Sequence, residues 1–212
     1  VNGMKAQRPE IKLDPGRDQV TLDGERIIYE QFCYYMLNKP AGVVSATTDR
    51  EHKTVIDLLQ EANTQDVFPV GRLDIDTEGL LLLTNDGALA HELLSPRKHV
   101  DKTYFVRIAG NLSDADVKQL EQGMDIGDEK LTLPAKVSCL EQFPEEQEQT
   151  VTIKLREGRY HQVKRMFEAV GTEVTYLKRL SMGPLSLDEK LSPGEYRRLT
   201  DEEINMLKEA TA

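Results

Sequence analysis

An α+β fold is expected, with a mixed, mainly antiparallel central sheet and flanking helices. Three observations carry that expectation. Short runs that alternate apolar and polar residues, such as "KTYFVRIAG" and "QTVTIKLREG", dominate the chain. Stretches with helical spacing interrupt them irregularly, not after every strand as a parallel doubly wound sheet requires. Gly, Pro, Asn and Asp close most of the runs within a few residues.

The elements follow in order. "VNG", "DPG" and "LDG" set turns between short extended pieces in residues 1–30. These pieces look like the tail of a small β-rich unit. "QFCYYMLNKPAGVVS" gives an apolar strand, a Lys-Pro turn and the start of another strand. "TVIDLLQ" begins a helix, with Val55, Leu58 and Leu59 as its apolar positions. "FPVGRLD" is a strand entering a loop, and "GLLLLTN" is the strand leaving it. "GALAHELLSP" has helical spacing and stops before Pro96. "KTYFVRIAG" alternates as a strand does. "SDADVKQLEQGM" is a helix capped by Ser113 and ended by Gly123.

"LPAKVSCLEQF" and "QTVTIKLREG" are strands flanking the acidic loop "PEEQEQ". "YHQVKRMFEAVG" is a helix with Val163, Met166, Phe167 and Val170 on one face. Gln162, Arg165 and Glu168 fall elsewhere, and Lys164 lies one position from the apolar stripe. "EVTYLKRLSMGPLSL" returns to strand. The chain then runs through a turn and a strand to an amphipathic helix capped by Thr200.

The 212 residues suffice for one large domain or two small ones with a real core. A hydrophobic content of 39% and a charged content of 30% fit a soluble protein. No apolar run is long enough to span a membrane, and the polar N-terminus lacks the apolar stretch of a signal peptide. Cys33 and Cys139 lie far apart, as expected of thiols in a reducing compartment. Neither has the spacing of a metal ligand with the four histidines, His52, His91, His99 and His161.

The net charge of −10 argues against a nucleic-acid partner, but the distribution of charge does not. Residues 111–149 carry ten acidic and three basic side chains, while residues 154–179 carry seven basic and three acidic. Arg97, Lys98, Lys102 and Arg107 form a second basic cluster. A local positive patch attracts phosphates even on an acidic chain.

The chemistry centres on "GRLDIDTEGLLLLTNDG", where Asp74, Asp76 and Glu78 alternate before Gly79. Three roles are open to these carboxylates: metal ligands, acid, base or nucleophile, or solvated turn residues. The first half loosely fits a calcium loop. The second half does not, because Leu80–Leu83 and Asn85 stand where oxygen ligands belong. Two further stretches complete the set. "DKTYFV" puts an aromatic after a basic residue on a strand, and "EGRYHQVKRMF" is a turn leading into a basic helix. A reacting carboxylate needs a cation to hold it ionised, and an extruded base needs an aromatic face.

"NKPAGVVS", "GRLDIDTEGLLLLTNDG", "KTY" and "EGRYHQVKRMF", in that order, resemble the pseudouridine synthases of the RsuA group. The resemblance covers residues 34 to about 205. It implies the pseudouridine synthase fold over residues 31–212. It also implies that residues 1–30 are the C-terminal remnant of an S4-like RNA-binding domain, most of which is absent from this chain.

The activity implied is isomerisation of a uridine in small-subunit (16S) ribosomal RNA, by analogy uridine 516. A 23S substrate and a non-catalytic ribosome assembly factor are the alternatives. The family's catalytic Asp falls on Asp74, as nucleophile or base. Its base-stacking Tyr falls on Tyr104, and the cation paired with the Asp falls on Lys164. Arg72 matches a residue that holds the backbone of the flipped nucleotide. Arg159, His161, Gln162, Arg165, Lys39 and Lys102 are the other RNA contacts implied. Asp76 and Glu78 have no catalytic counterpart and are expected to be solvated or to cap turns. The resemblance implies no metal and no cofactor. It implies a monomer in the cytoplasm that acts on the ribosomal RNA or the assembling 30S particle, with no membrane partner.

Overall fold

A computed structural model describes residues 1–8, 10–14, 17–27, 31–60, 66–143, 145 and 147–211. The chain divides into two units, Val1–Cys33 and Tyr34–Ala212. The first holds a hairpin of β1 (Val20–Leu22) and β2 (Glu25–Ile27), closed by Asp23 and Gly24, both at positive φ. This is the turn signalled by "LDG". The "DPG" turn lies partly outside the described residues.

The second unit is built on one sheet of nine strands. Its members are β3 (Tyr34–Lys39), β4 (Phe68–Pro69), β5 (Glu78–Thr84), β6 (Lys102–Ala109), β7 (Lys136–Phe143), β8 (Glu148–Leu155), β9 (Glu173–Met182), β10 (Leu185–Ser186) and β11 (Tyr196–Arg198). Across the sheet the order is β11-β3-β5-β9-β6-β8-β7, with β4 on β5 and β10 on β9. Every pair of these strands is antiparallel except β5 with β9. The mixed, mainly antiparallel expectation therefore holds, and the exception matters. The β5–β9 seam joins two antiparallel halves through only two residue pairs, Glu78–Lys178 and Gly79–Arg179.

Among the described residues four helices flank the sheet: α1 (Gly87–Leu94), α2 (Asp114–Gln122), α3 (Gln162–Ala169) and α4 (Asp201–Glu209). Among the described residues none is long and apolar enough to cross a membrane. Asp86 caps α1 by accepting from the Leu89 N–H. Ser113 with Asp116 and Thr200 with Glu203 form reciprocal capping boxes on α2 and α4. Tyr34, Met36, Leu80 and Leu82 meet Leu89, Leu93, Met182 and Leu207 in one apolar cluster. Strand β3 is buried at all six positions, and β5 at six of seven. That is why "YYMLNK" and "GLLLL" carry so few exposed polar residues.

Two short elements differ from expectation. "TVIDLLQ" makes one 3-10 turn, Ile56–Leu58, not a helix. The Asp57 carboxylate accepts from the Thr54 N–H and hydroxyl, which closes a local turn. Leu59 is already extended, and the Gln60 N–H donates to the Tyr196 hydroxyl. "FPVGRLD" is a strand for only two residues. Pro69 has no N–H for the ladder and Gly71 turns the chain at φ 78°. "GVVS" contributes a single bridge, Val44 to Thr54.

The seam is stapled from both sides. The Arg179 Nε donates to the Leu80 carbonyl at 2.8 Å, and the Tyr176 hydroxyl donates to the Glu78 carboxylate at 2.7 Å. Gly79 sits at φ 101°, and a Cβ there would overlap the backbone oxygen of Arg179. Gly79→Ala adds overpacking of about 1–3 kcal/mol to a left-handed backbone penalty of about 1–2 kcal/mol. The expected loss of stability is about 2–5 kcal/mol, read from the urea midpoint. A loss under about 0.5 kcal/mol, the usual range of a harmless surface change, would show that the seam can part to admit a methyl group.

Candidate active site

Asp74 lies in the loop between β4 and β5, and that loop is fixed from below by a lysine. Lys39, the last residue of β3, is fully buried. Its Nζ donates to the carbonyls of Asp74 at 3.0 Å, Thr77 at 2.8 Å, Pro40 at 3.0 Å and Ile75 at 3.4 Å. The Thr77 N–H donates to the Asp74 carbonyl, and the Gly42 N–H to that of Ile75. The Ser45 hydroxyl both accepts from the Leu73 N–H and donates to its carbonyl. The backbone around Asp74 is therefore held on both sides before any substrate arrives.

The opposite wall comes from α3 and the turn before it. His161 stands just ahead of the helix in a left-handed conformation, φ 49° and ψ 32°. Non-glycine residues rarely adopt that shape, at a cost of roughly 1–2 kcal/mol. Its Nε2 lies 3.5 Å from Asp74 Oδ1. Lys164, in the first turn of α3, brings its Nζ to 3.4 Å from Asp74 Oδ2. Asp74, His161 and Lys164 thus meet although nearly ninety residues separate the first from the other two.

Lys164 has a second partner that the sequence did not reveal. Its ammonium makes hydrogen bonds of 2.6 and 2.7 Å to the two Asp76 oxygens, shorter than its contact with Asp74. Partial burial pushes the Asp76 carboxyl up, but the hydrogen bonds and charge of Lys164 outweigh it and hold the group below its ordinary value. Asp76 is exposed, as expected of a solvated carboxylate, and is in addition an ion-pair member. Glu78 is likewise engaged, by the Tyr176 hydroxyl. One ammonium shared by two carboxylates leaves the cluster net negative, and the first turn of α3 adds the positive end of a short helix.

The other expected contacts divide sharply. Arg72 is exposed and has no hydrogen-bond or ion-pair partner among the described residues. Lys39 and Lys102 are buried, which corrects their expected place on the RNA surface. Lys39 holds the Asp74 loop, and Lys102 donates to the Val100 carbonyl. Arg159 is bound to Glu157, Asp128 and the carbonyls of Lys130 and Leu131. Arg165 is bound to Asp128 and the carbonyls of Ile126 and Tyr160. Gln162 is buried, with Glu157 and the Arg159 N–H as partners. These three build the turn and fasten it to the acidic segment, so the basic stretch is partly neutralised by its own chain.

Tyr104 is only 8% exposed. It lies on β6 in register with Arg179, which in turn pairs with Gly79. Among the described residues no hydrogen bond joins it to Asp74. Arg179 is a further residue whose place the sequence did not show. It is 2% exposed, and its Nη2 has no hydrogen-bond partner among the described residues.

The Lys39 hook can be tested directly. Burial draws its ammonium down to about 8, against the pull of Asp76, Asp74 and Glu78. The unfolded chain, with an ordinary lysine near 10.4, binds more protons above pH 8. This residue therefore makes stability rise as pH climbs from about 8 towards 10. Lys39→Met strands the loop carbonyls and should cost about 2–4 kcal/mol at pH 7. It should also flatten that alkaline rise. Urea melts at pH 7 and 9.5 measure both effects, and an unchanged midpoint at pH 7 would show that the carbonyls do not need the lysine.

Residues 33–169 match the family described as RNA pseudouridylate synthase. The whole chain is 49% identical to the RNA pseudouridine synthase YtzG of Bacillus subtilis, over 88% of that protein. It is 46% identical to the ribosomal small subunit pseudouridine synthase A of Salmonella typhimurium, over 96% of this chain and 86% of that one. A crystal structure of a pseudouridylate synthase superposes with a TM-score of 0.75 at 35% identity, covering 97% of this chain and 86% of the other.

Proposed function

Because this chain belongs to the RNA pseudouridylate synthase family, we propose that it isomerises a uridine of small-subunit ribosomal RNA, with Asp74 as the reacting carboxylate. Uridine 516 of the 16S RNA is the target by analogy. The observation that carries the reading is the meeting of Asp74 with Lys164 and His161, at 3.4 and 3.5 Å, on a loop clamped from beneath.

The reaction breaks the bond from N1 of uracil to C1′ of ribose and forms one from C5 to C1′. The C5 proton leaves and N1 gains one, so nothing is oxidised and no co-reactant is consumed. Asp74 serves as a nucleophile or as a base, and both roles need an ionised carboxylate. Lys164 and His161 supply the nearby positive and polar groups that orient it. The side chain of Asp74 is 26% exposed, so an incoming nucleoside displaces the remaining water and strengthens every electrostatic contact at the site.

Extruding the uridine from its stack costs roughly a few kcal/mol. Stacking on Tyr104 offsets it, once that ring is uncovered from its 8% exposed resting place. Arg72, exposed and uncommitted two residues before Asp74, is suited to the phosphate of the same nucleotide. We read residues 1–30 as the end of an S4-like RNA-binding unit. The substrate is the ribosomal RNA or the assembling 30S particle, met in the cytoplasm by a monomer. The small-subunit substrate named for the Salmonella relative supports this reading.

The test is incubation with unmodified small-subunit ribosomal RNA, followed by carbodiimide mapping of pseudouridine by primer extension. Asp74→Asn should bring turnover below detection while changing RNA affinity less than about tenfold, roughly 1.4 kcal/mol. Lys164→Ala should impair turnover more than binding. Asp76→Asn should stay active, because Asp74 and Lys164 remain; its stability should change by less than about 1 kcal/mol, as for an exposed pair. A dead Asp76→Asn beside an active Asp74→Asn would move the chemistry to the other carboxylate.

A further inference from the structure

Tyr160 is the most exposed of the large hydrophobic side chains close in sequence to the site, at 73%. Its ring lies flat on the His161 ring, with centroids 3.8 Å apart and planes 16° apart. That imidazole is the one whose Nε2 faces Asp74. Exposed aromatics are normally mobile, but this one stands on a heavily braced turn. Arg165 Nη1 donates to the Tyr160 carbonyl at 3.0 Å. Gln162 accepts from the Arg159 N–H and donates to Glu157, and the Arg159 guanidinium ties the turn to residues 128–131. The residues expected to touch RNA instead hold in place a two-ring stack that ends in an open aromatic face. The left-handed backbone of His161 is part of the same arrangement.

We propose that the Tyr160–His161 stack receives a nucleobase adjacent to the uridine that reacts. The proposal rests on the reading of this chain as an enzyme acting on RNA. A planar ring stacked on one side and open on the other is a platform that any base fits, because every base has a π-face. A base on the outer face of Tyr160 lies one ring beyond the imidazole whose Nε2 faces Asp74, so it is a neighbour of the reacting uridine and not the uridine itself. The flipped uridine leaves a gap in its strand, and the platform holds the base beside the gap once its stacking partner has gone. The site then contributes to affinity and register, not to the chemical step.

The experiment compares wild type with Tyr160→Ala, Tyr160→Leu, Tyr160→Phe and Tyr160→Trp, using unmodified small-subunit ribosomal RNA. Dissociation constants and pseudouridine formation are both measured. Removing the ring should raise Kd and KM by roughly 5- to 150-fold, equivalent to about 1–3 kcal/mol, with kcat within about twofold. Leu keeps apolar bulk without a π-face and should behave as Ala does, while Phe and Trp should stay within about threefold of wild type. Unchanged affinity in Tyr160→Ala, equal loss in Tyr160→Phe, or a fall in kcat at constant KM would each overturn the platform. A wild-type chain that binds the RNA without forming pseudouridine would sink the isomerase reading alone, and the binding series would still decide the stack.

Discussion

Lys39 ends a fully buried strand and turns its ammonium into the loop that carries Asp74, and the geometry of the site follows from that contact. Four backbone carbonyls converge on one Nζ. A loop with so many inward carbonyls would be unstable around an empty centre, because each unsatisfied buried acceptor costs about 1–3 kcal/mol. The cation therefore makes the loop possible, and the loop fixes where the Asp74 carboxylate emerges. Everything on the far wall, from His161 to Lys164, is positioned to meet a group whose place has already been set.

The same logic explains the charge distribution. The segment richest in Lys and Arg does not form a uniform positive face. Lys154 and Arg156 meet Asp101, and Arg159 and Arg165 meet Asp128. Lys164 is divided between Asp74 and Asp76. Attraction for RNA then rests on a few uncommitted cations such as Arg72, combined with aromatic surface.

Much of the architecture was legible because local chemistry decided it. Ser113 and Thr200 announced their helices, alternation announced β6 and β8, and the leucine run announced β5. The "TVIDLLQ" segment was misread because an Asp–Thr side-chain turn competes with helix over so few residues. The site was legible in its residue types but not in its pairings. Lys39, beside Pro40, looks like a turn lysine; only the six-residue buried run it terminates hints that it points inward. Arg159, Gln162 and Arg165 look like phosphate ligands because their partners lie about thirty residues earlier or in the adjoining turn, at distances that no periodicity encodes. Asp76 lies two residues from Asp74, and sequence could not show which of the two would hold Lys164 more closely.

The parallel seam gives the chain a timetable. Strands β3, β4 and β5 close by antiparallel pairing within residues 34–84, and β6, β7 and β8 do so within residues 102–155. Neither half contains a complete site, since Asp74 belongs to the first and β9 must be laid between them before α3, which packs on β9, can face the loop. Long-range pairing is the slow part of folding because loop closure precedes the contacts that reward it. On a ribosome the carboxylate is made early and waits roughly a hundred residues for its partner strand, about 5–20 s at ordinary synthesis rates. On the proposed reading a nascent chain forms no pseudouridine until its last large strand has docked, so the onset of turnover in a translation reaction would time the closing of the sheet.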